Sequence, residues 1–497
     1  MKPFSYQALL RNFERLCFFG NNFEHLCIYS SSFIFRNRKF LAIFRTGPVD
    51  RQRLYLAKVR NRFSRRDRTF KNYTLLIIWN SDGVCRYTPF CASPHFYAFF
   101  LTCKRRPLFG FTKHYFHYTA LWDMLQRPKR ARIYRMNTLT IRKPDDWHTH
   151  LRDGAMLEAV LPFTAQRFGR AVVMPNLSPN PIITTEEMRA YKARIEKTAA
   201  SFPGFTPLMT YYLTENSSPE DIARGFKEGL ATAVKVYPPG TSTNAEKGVM
   251  DIAKVYKTFE KMQEIGMPVL LHGERLRRDD GSGIDEVDYE KFFIETKLTP
   301  LLKDFPELKV VLEHSTSKDA VDFVLNEAST RLATTVTVHH LMVNAEEHPD
   351  REPYFHCFPI IKSEEDRTAL RRAATSGSPY FFLGTDSAPH LVSAKESAKP
   401  PGGIFTAPAA IELYAQVFEE EGKLENLEAF ASINGAKFYG LTPSEETITL
   451  EKNPWTIDEV VSVADTPSTP LGTGEKIRPF GYDEDPAKRL QIQWRMT

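Results

Sequence analysis

DDWHTHLRD, residues 145–153, places His148 and His150 at alternate positions, with Arg152 two further on. The apolar–polar alternation of Leu139 and Ile141 just before it predicts a strand. Alternate residues of a strand share a face. If the strand stays regular to its end, His148, His150 and Arg152 point the same way. Two imidazoles on one face can grip a divalent metal, and a guanidinium beside them can clamp a carboxylate. An isolated H-x-H is as often a pair of surface histidines, so the remainder of the chain has to decide.

From Met136 onward, short β-rich runs alternate with longer helical stretches, the pattern of repeated βα units. Eight runs read as strands: 138–150, 170–176, 205–213, 231–238, 267–273, 308–315, 332–340 and 380–387. Helical stretches between them include 185–200 and 246–266. Several strands are nearly continuous apolar runs, as parallel strands covered by helices must be. Eight units over 138–400 predict an α/β fold, a (β/α)8 TIM barrel, which typically needs about 250 residues. An open doubly wound sheet is the alternative, but no G-x-G-x-x-G follows the first strand.

Active-site groups of such barrels sit at the C-terminal ends of strands. Strand one ends in His148 and His150, strand five in His272, strand six in His314 and strand eight in Asp386, while Lys235 lies near the end of strand four. Four histidines, a lysine and an aspartate from separate elements therefore converge on one rim. A cationic lysine beside metal ions is repelled and must lose its proton. The neutral amine can take up carbon dioxide as a carbamate, an anionic two-oxygen ligand able to bridge two metals. A lysine snorkelling to the barrel mouth is the plainer reading; the surrounding ligands favour the carbamate.

The 497-residue chain carries a net charge of +6, which hides two unlike segments. Residues 1–135 hold 26 Lys+Arg against 6 Asp+Glu, leaving 40 against 54 for 136–497, a net of −14. Five of the six cysteines and 18 of the 37 phenylalanines also fall in the first segment. The single Cys357 of the remainder argues against a disulfide framework and for a reducing compartment, the cytoplasm. Residues 1–135 show no sustained helical or strand period and no apolar run of about 18 residues, so no membrane span is expected. A transit peptide is opposed by Glu14 and Glu24, and no recognisable nucleic-acid module stands behind the basic charge. Met136 is expected to be the functional start, with 1–135 a poorly ordered extension or leader and 136–497 the barrel with C-terminal helices.

DDWHTHLRD, VVMPN, VKVYPPG, LLHGE, LEHST and FLGTDSAPH, in this order and spacing, resemble the dihydroorotase family, in the short monofunctional type of the amidohydrolase superfamily. The likeness covers 136–497 and none of 1–135. It implies a homodimeric (β/α)8 barrel with two zinc ions (Zn2+) per chain, bridged by a carboxylated lysine. The implied reaction interconverts N-carbamoyl-L-aspartate and L-dihydroorotate, the third step of pyrimidine synthesis. Carried over by position, His148 and His150 would bind the more buried zinc with Asp386. His272 and His314 would bind the second, and Lys235 would bridge. Arg152, Asn176 and His390 would hold the substrate carboxylate, with His150 and His272 also against the substrate. Backbone groups at Phe358 and Gly402 would meet the pyrimidine edge. Thr241–Asn244, with Ser242 and Thr243, resembles the family's mobile loop. Gly402 lies in KPPGGIF, which departs from the bacterial pattern.

The chemistry agrees. Two metals would activate a bridging water, and Asp386 would take its proton and pass it to the leaving nitrogen. Arg152 supplies a planar fork for a carboxylate. His339 and His340 are expected to end strand seven; a metal role is imaginable, but six ligands already complete a two-metal site, which favours packing or support of the ligands. Glu274 either orients a ligand or is solvated. Cys357 reads as a small buried apolar residue. The 406–422 helix and 430–441 read as packing and lid support. Other cyclic amidohydrolases, such as dihydropyrimidinase or allantoinase, would share the metal set without the carboxylate clamp, and a scaffold would need no ligand set.

Overall fold

The computed structural model describes residues 137–349, 353–464 and 474–497, and the backbone of four strands before them. These are β1 (Arg53–Arg62), β2 (Phe70–Trp79), β3 (Cys85–Ser93) and β4 (Phe96–Cys103), in the order β1-β2-β4-β3. No strand period is legible there, because runs such as TLLIIW and FYAFFL are almost continuously apolar rather than alternating. The expectation of poor order for the rest of 1–135 lies outside the described residues. The chain divides into two units, Met1–Ile133 and Tyr134–Thr497.

In the second unit, the first predicted strand is two. β5 (Thr138–Arg142) stops before Pro144, which has no N–H to give a ladder. β6 (Asp145–Thr149) then enters the barrel. The barrel continues with β7 (Arg170–Val173), β8 (Thr206–Tyr212), β9 (Ala231–Val236) and β10 (Val269–His272). β11 (Val310–Glu313), β12 (Leu332–Val336) and β13 (Phe381–Leu383) complete it. The eight strands run in sequence order, every neighbouring pair parallel. Closure falls to the residues after β13: Asp386 N–H donates to His148 C=O at 2.8 Å and His150 N–H to Ser387 C=O at 3.1 Å.

β5 joins a separate antiparallel sheet with β14 (Thr447–Trp455) and, beyond β15 (Val461–Ser462) and β16 (Lys476–Ile477), with β17 (Ile492–Met496). The two helical stretches quoted above differ in outcome. Thr185–Thr198 is a helix with a capping box between Thr184 and Glu187. The 246–266 stretch turns helical only from Ile252, with the α-helix at Tyr256–Ile265. Before it the chain packs against β9: Val249 N–H donates to Tyr237 C=O, and a Cβ on Gly248 would lie 2.0 Å from that oxygen. The C-terminal helix Ala410–Glu420 is buried along most of its length.

Period-two alternation sorts the strand residues. Val173, Val234, Leu271, Leu312 and Leu383 face the helices. Trp147, Val172, Ala233, Leu270, Val311, Ala333 and Phe382 fill the barrel interior. The lower end is plugged by 435–441, with Tyr439 stacked on Trp147 at 4.6 Å between ring centroids. A Cβ on Gly435 would meet Trp147 Nε1 at 2.1 Å, so only glycine allows this approach.

Candidate active site at the barrel rim

Two residues beyond the apolar interior layer, the same strand faces present Lys235, His272, Glu313 and Thr335, all buried. His148 and His150 come from the end of β6, and His314 and Asp386 follow β11 and β13. The six residues expected as ligands are thus brought to one rim. The route differs from the expected regular strand. β6 shifts register between Asp146 and Thr149, so both Trp147 and His148 are buried in the barrel. Arg152 has φ +60°, ending the extended backbone. His314 (φ +41°) and Asp386 (φ +44°) are also left-handed. Each such residue costs about 1–3 kcal/mol and persists only where its surroundings over-determine it. Here His314 N–H donates to Thr335 Oγ1, the Asp386 N–H closes the barrel, and Tyr191 OH holds Arg152 C=O at 2.6 Å.

Asp386 Oδ1 lies 3.0 Å from His150 Nε2 and 3.3 Å from His148 Nε2. His272 Nδ1 and His314 Nε2 are 3.1 Å apart. The ligand atoms of His148, His314 and Asp386 lie within 4.8 Å of one another. Among the described residues, His148 Nε2, His314 Nδ1 and Lys235 Nζ have no hydrogen-bond partner. Buried polar atoms are almost always paired. Orphaned imidazole nitrogens converging on a carboxylate are a donor set that fits a divalent cation. Burial, reinforced by Lys235, pushes His148 down to about 3, so its ring is neutral as a ligand must be. Burial brings Lys235 down to about 7. Burial would raise Asp386, but His148 and His150 hold it well below the usual carboxylate range.

Glu313 was missed in the sequence, although it lies inside the LEHST run. Its carboxylate contacts His148 Nδ1 and lies 3.7 Å from Lys235 Nζ, wholly buried. The signal was available, since Glu313 is two residues from inward-facing Val311. Glu274 does not face solvent: its Oε2 lies 2.8 Å from His272 Nε2. Each carboxylate holds the outer nitrogen of one imidazole and leaves the inner one facing the site.

Arg152 Nε donates to Pro389 C=O at 3.0 Å, and its Nη2 lies 3.1 Å from His390 Nε2. That His390 nitrogen also lies 3.0 Å from Gly402 C=O. Asn176 Nδ2 donates to Thr243 C=O at 2.9 Å, and Thr243 Oγ1 to Gly402 C=O at 3.2 Å. Ser242, Thr243, Phe358 and Gly402 join His150, Arg152, Asn176 and Asp386 around a cavity of about 20 Å³, room for one water. Gly402 sits under the Phe358 ring, where a Cβ would meet a ring carbon at 2.4 Å.

His339 and His340 do not end a strand. β12 stops at Val336, and Thr337 caps a short helix, Val338–Met342, that carries both histidines. His340 is engaged by Thr337 Oγ1 at 2.6 Å and Pro359 C=O at 3.0 Å, and the Cys357 thiol donates to the same carbonyl. Burial pushes that thiol up to about 12.

An eight-stranded parallel barrel with a buried histidine–carboxylate–lysine rim is the architecture of a metal-dependent hydrolase, and the chain belongs to the Amidohydrolase family, whose pattern matches residues 145–457. Within it, the relatives make this chain a hydrolytic enzyme of the dihydroorotase kind. Dihydroorotase of Nitrosomonas europaea is 49% identical over 344 residues, 68% of this chain and 97% of that one. Dihydroorotase of Hahella chejuensis is 47% identical over 345 residues, 69% and 98% respectively. The crystal structure of dihydroorotase in complex with 5-fluoroorotic acid from Saccharomyces cerevisiae superposes with a TM-score of 0.66 at 34% identity. It covers 73% of this chain and 99% of that one. Among the described residues no helix is long and apolar enough to cross a membrane.

Proposed function

We propose that the barrel interconverts N-carbamoyl-L-aspartate and L-dihydroorotate in pyrimidine (UMP) synthesis, as a cytoplasmic homodimer whose functional unit starts at Met136. The convergence of unpartnered ligand atoms and the Arg152–His390 pair on one rim carries this reading. His148, His150 and Asp386 would hold one zinc ion and His272 and His314 the other, with Lys235 between them as its carbamate. Forming that carbamate makes an Nζ–C bond to carbon dioxide and releases one amine proton to solvent. A lysine brought to about 7 presents the required neutral amine near neutral pH. Bound metal would lower the pKa of a bridging water towards neutrality and offset charge on the acyl oxygen.

The chain's own residues do the rest. Arg152 offers a planar fork to the substrate carboxylate, with Asn176 and His390 beside it. Backbone groups of Phe358 and Gly402 meet the pyrimidine edge. Asp386 takes the attacking water's proton and returns it to the leaving ring nitrogen; in the cyclising direction it receives the ureido proton. Ser242 and Thr243 of the 241–244 segment line the cavity, so in this reading that segment moves as substrate enters.

The carboxylate clamp separates this reading from a dihydropyrimidinase or allantoinase. Turnover of L-dihydroorotate and of dihydrouracil is the test, run on the full chain and on a chain starting at Met136. Strong preference for dihydroorotate, equal in both chains, is expected. Equal use of dihydrouracil would remove the clamp, and loss of activity on removing 1–135 would make that segment part of the enzyme.

A further inference from the structure

Five tyrosines of the described residues are fully buried: Tyr191, Tyr211, Tyr212, Tyr237 and Tyr414. Four have a partner for the hydroxyl. Tyr191 holds Arg152 C=O, Tyr211 meets Thr185, Tyr212 donates to Asn244 C=O at 3.3 Å, and Tyr414 donates to Val336 C=O at 2.6 Å. The hydroxyl of Tyr237 has none among the described residues, and neither has that of the half-buried Tyr439 in the barrel floor. A buried hydroxyl without a partner carries its desolvation penalty uncompensated, so the exception requires a reason.

Its position supplies one. Tyr237 follows β9 two residues after Lys235, so the period-two alternation that turns Lys235 inward places Tyr237 one layer nearer the mouth. The Lys235 Nζ lies 5.1 Å from the Tyr237 ring centroid, and the His272 ring is 6.3 Å away. On its other side the ring stacks on Tyr212 at 5.2 Å, beneath Ala245 at the foot of the 241–244 loop. A phenol is protonated at neutral pH, so towards an anion it can only donate. A phenylalanine would fill the same wall without the penalty. The hydroxyl is therefore the part that needs explaining.

We propose that Tyr237 is a substrate-contacting residue, whose hydroxyl donates a hydrogen bond to an oxygen of the bound substrate anion at the rim above Lys235 and His272. This rests on the dihydroorotate reading given above. An interaction awaiting substrate weakens the free protein and strengthens the complex, the reverse of what a structural hydrogen bond does.

Tyr237→Phe tests this, with Tyr414→Phe as the structural comparison, both as metal-loaded full chains. Tyr237→Phe is expected to lose about tenfold or more in kcat/KM, with metal content unchanged and Tm equal to or above wild type. A loss in KM assigns the contact to the ground state, and a loss in kcat to the transition state. Tyr414→Phe is expected to lower Tm and leave kcat/KM within about twofold. Unchanged kcat/KM in Tyr237→Phe overturns the proposal, and so does lost activity accompanied by lower Tm or lost metal. A wild type that fails to turn over dihydroorotate overturns the reaction reading and this inference with it. Wild-type turnover with an indifferent Tyr237→Phe overturns this inference alone.

Discussion

The lower and upper halves of the barrel interior are built by the same strands, two residues apart, and have opposite character. Below, Ala233, Leu270, Val311 and Phe382 pack against Trp147 and the Tyr439 plug. Above, Lys235, His272, Glu313 and their neighbours are equally buried but leave a cluster of nitrogens and oxygens without partners, where the layer below leaves only Trp147 Nε1 and the Tyr439 hydroxyl among the described residues. Dense apolar packing stabilises; orphaned polar atoms and left-handed backbone do the reverse. The lower half therefore bears the stability that lets the upper half hold an arrangement unfavourable by itself.

Substitutions in the two halves should separate accordingly. Lys235→Ala, above, is expected to lose about a thousandfold or more in turnover, since metals supply several kcal/mol of charge stabilisation and each decade is 1.36 kcal/mol. Metal analysis should show the two metals lost, and the melting temperatures of the metal-free proteins should show no decrease from wild type to variant. Short carboxylic acids should restore part of the rate. Two tightly held metals and normal rates would dismiss the bridging role. Trp147→Ala, below, should do the opposite. Truncating so large a core side chain destabilises by about 3–5 kcal/mol, measurable by denaturant unfolding, while the folded fraction keeps kcat/KM within a few-fold. A selective loss of turnover there would blur the division. Arg152→Lys has the smallest effect, about tenfold in kcat/KM with metal content intact, because lysine keeps the charge and loses the fork. Unchanged kinetics would take Arg152 out of the substrate site.

Much of this division was legible in the residues. Continuous apolar runs ending in histidine or aspartate mark parallel strands with polar C-terminal ends, and that sufficed for the barrel and for the gathering of His148, His150, Lys235, His272, His314 and Asp386. What stayed hidden is conformation. Nothing in LEHST or GTDS announces left-handed φ at His314 and Asp386, which tertiary hydrogen bonds impose. The pair His339–His340 looks like the tail of a strand until Thr337 is recognised as a helix cap. Pro144 does announce the break between β5 and β6, but an alternating pattern on its N-terminal side masked it. A glutamate inside the apolar run of LEHST carries no separate signal of its own except its parity with Val311, which points Glu313 inward.

The sheet that joins β5 to β14 and β17 constrains how the molecule comes into being. Residues 138–142 pair with 447–451, and the barrel floor is sealed by 435–441. A nascent chain that has completed every barrel strand still has an unpaired β5 and an open floor beneath Trp147. Contacts of such long sequence separation form late, because the loop they close is costly in entropy. Until they form, the apolar lower layer is exposed, which is the stage at which chaperone capture and aggregation compete with folding.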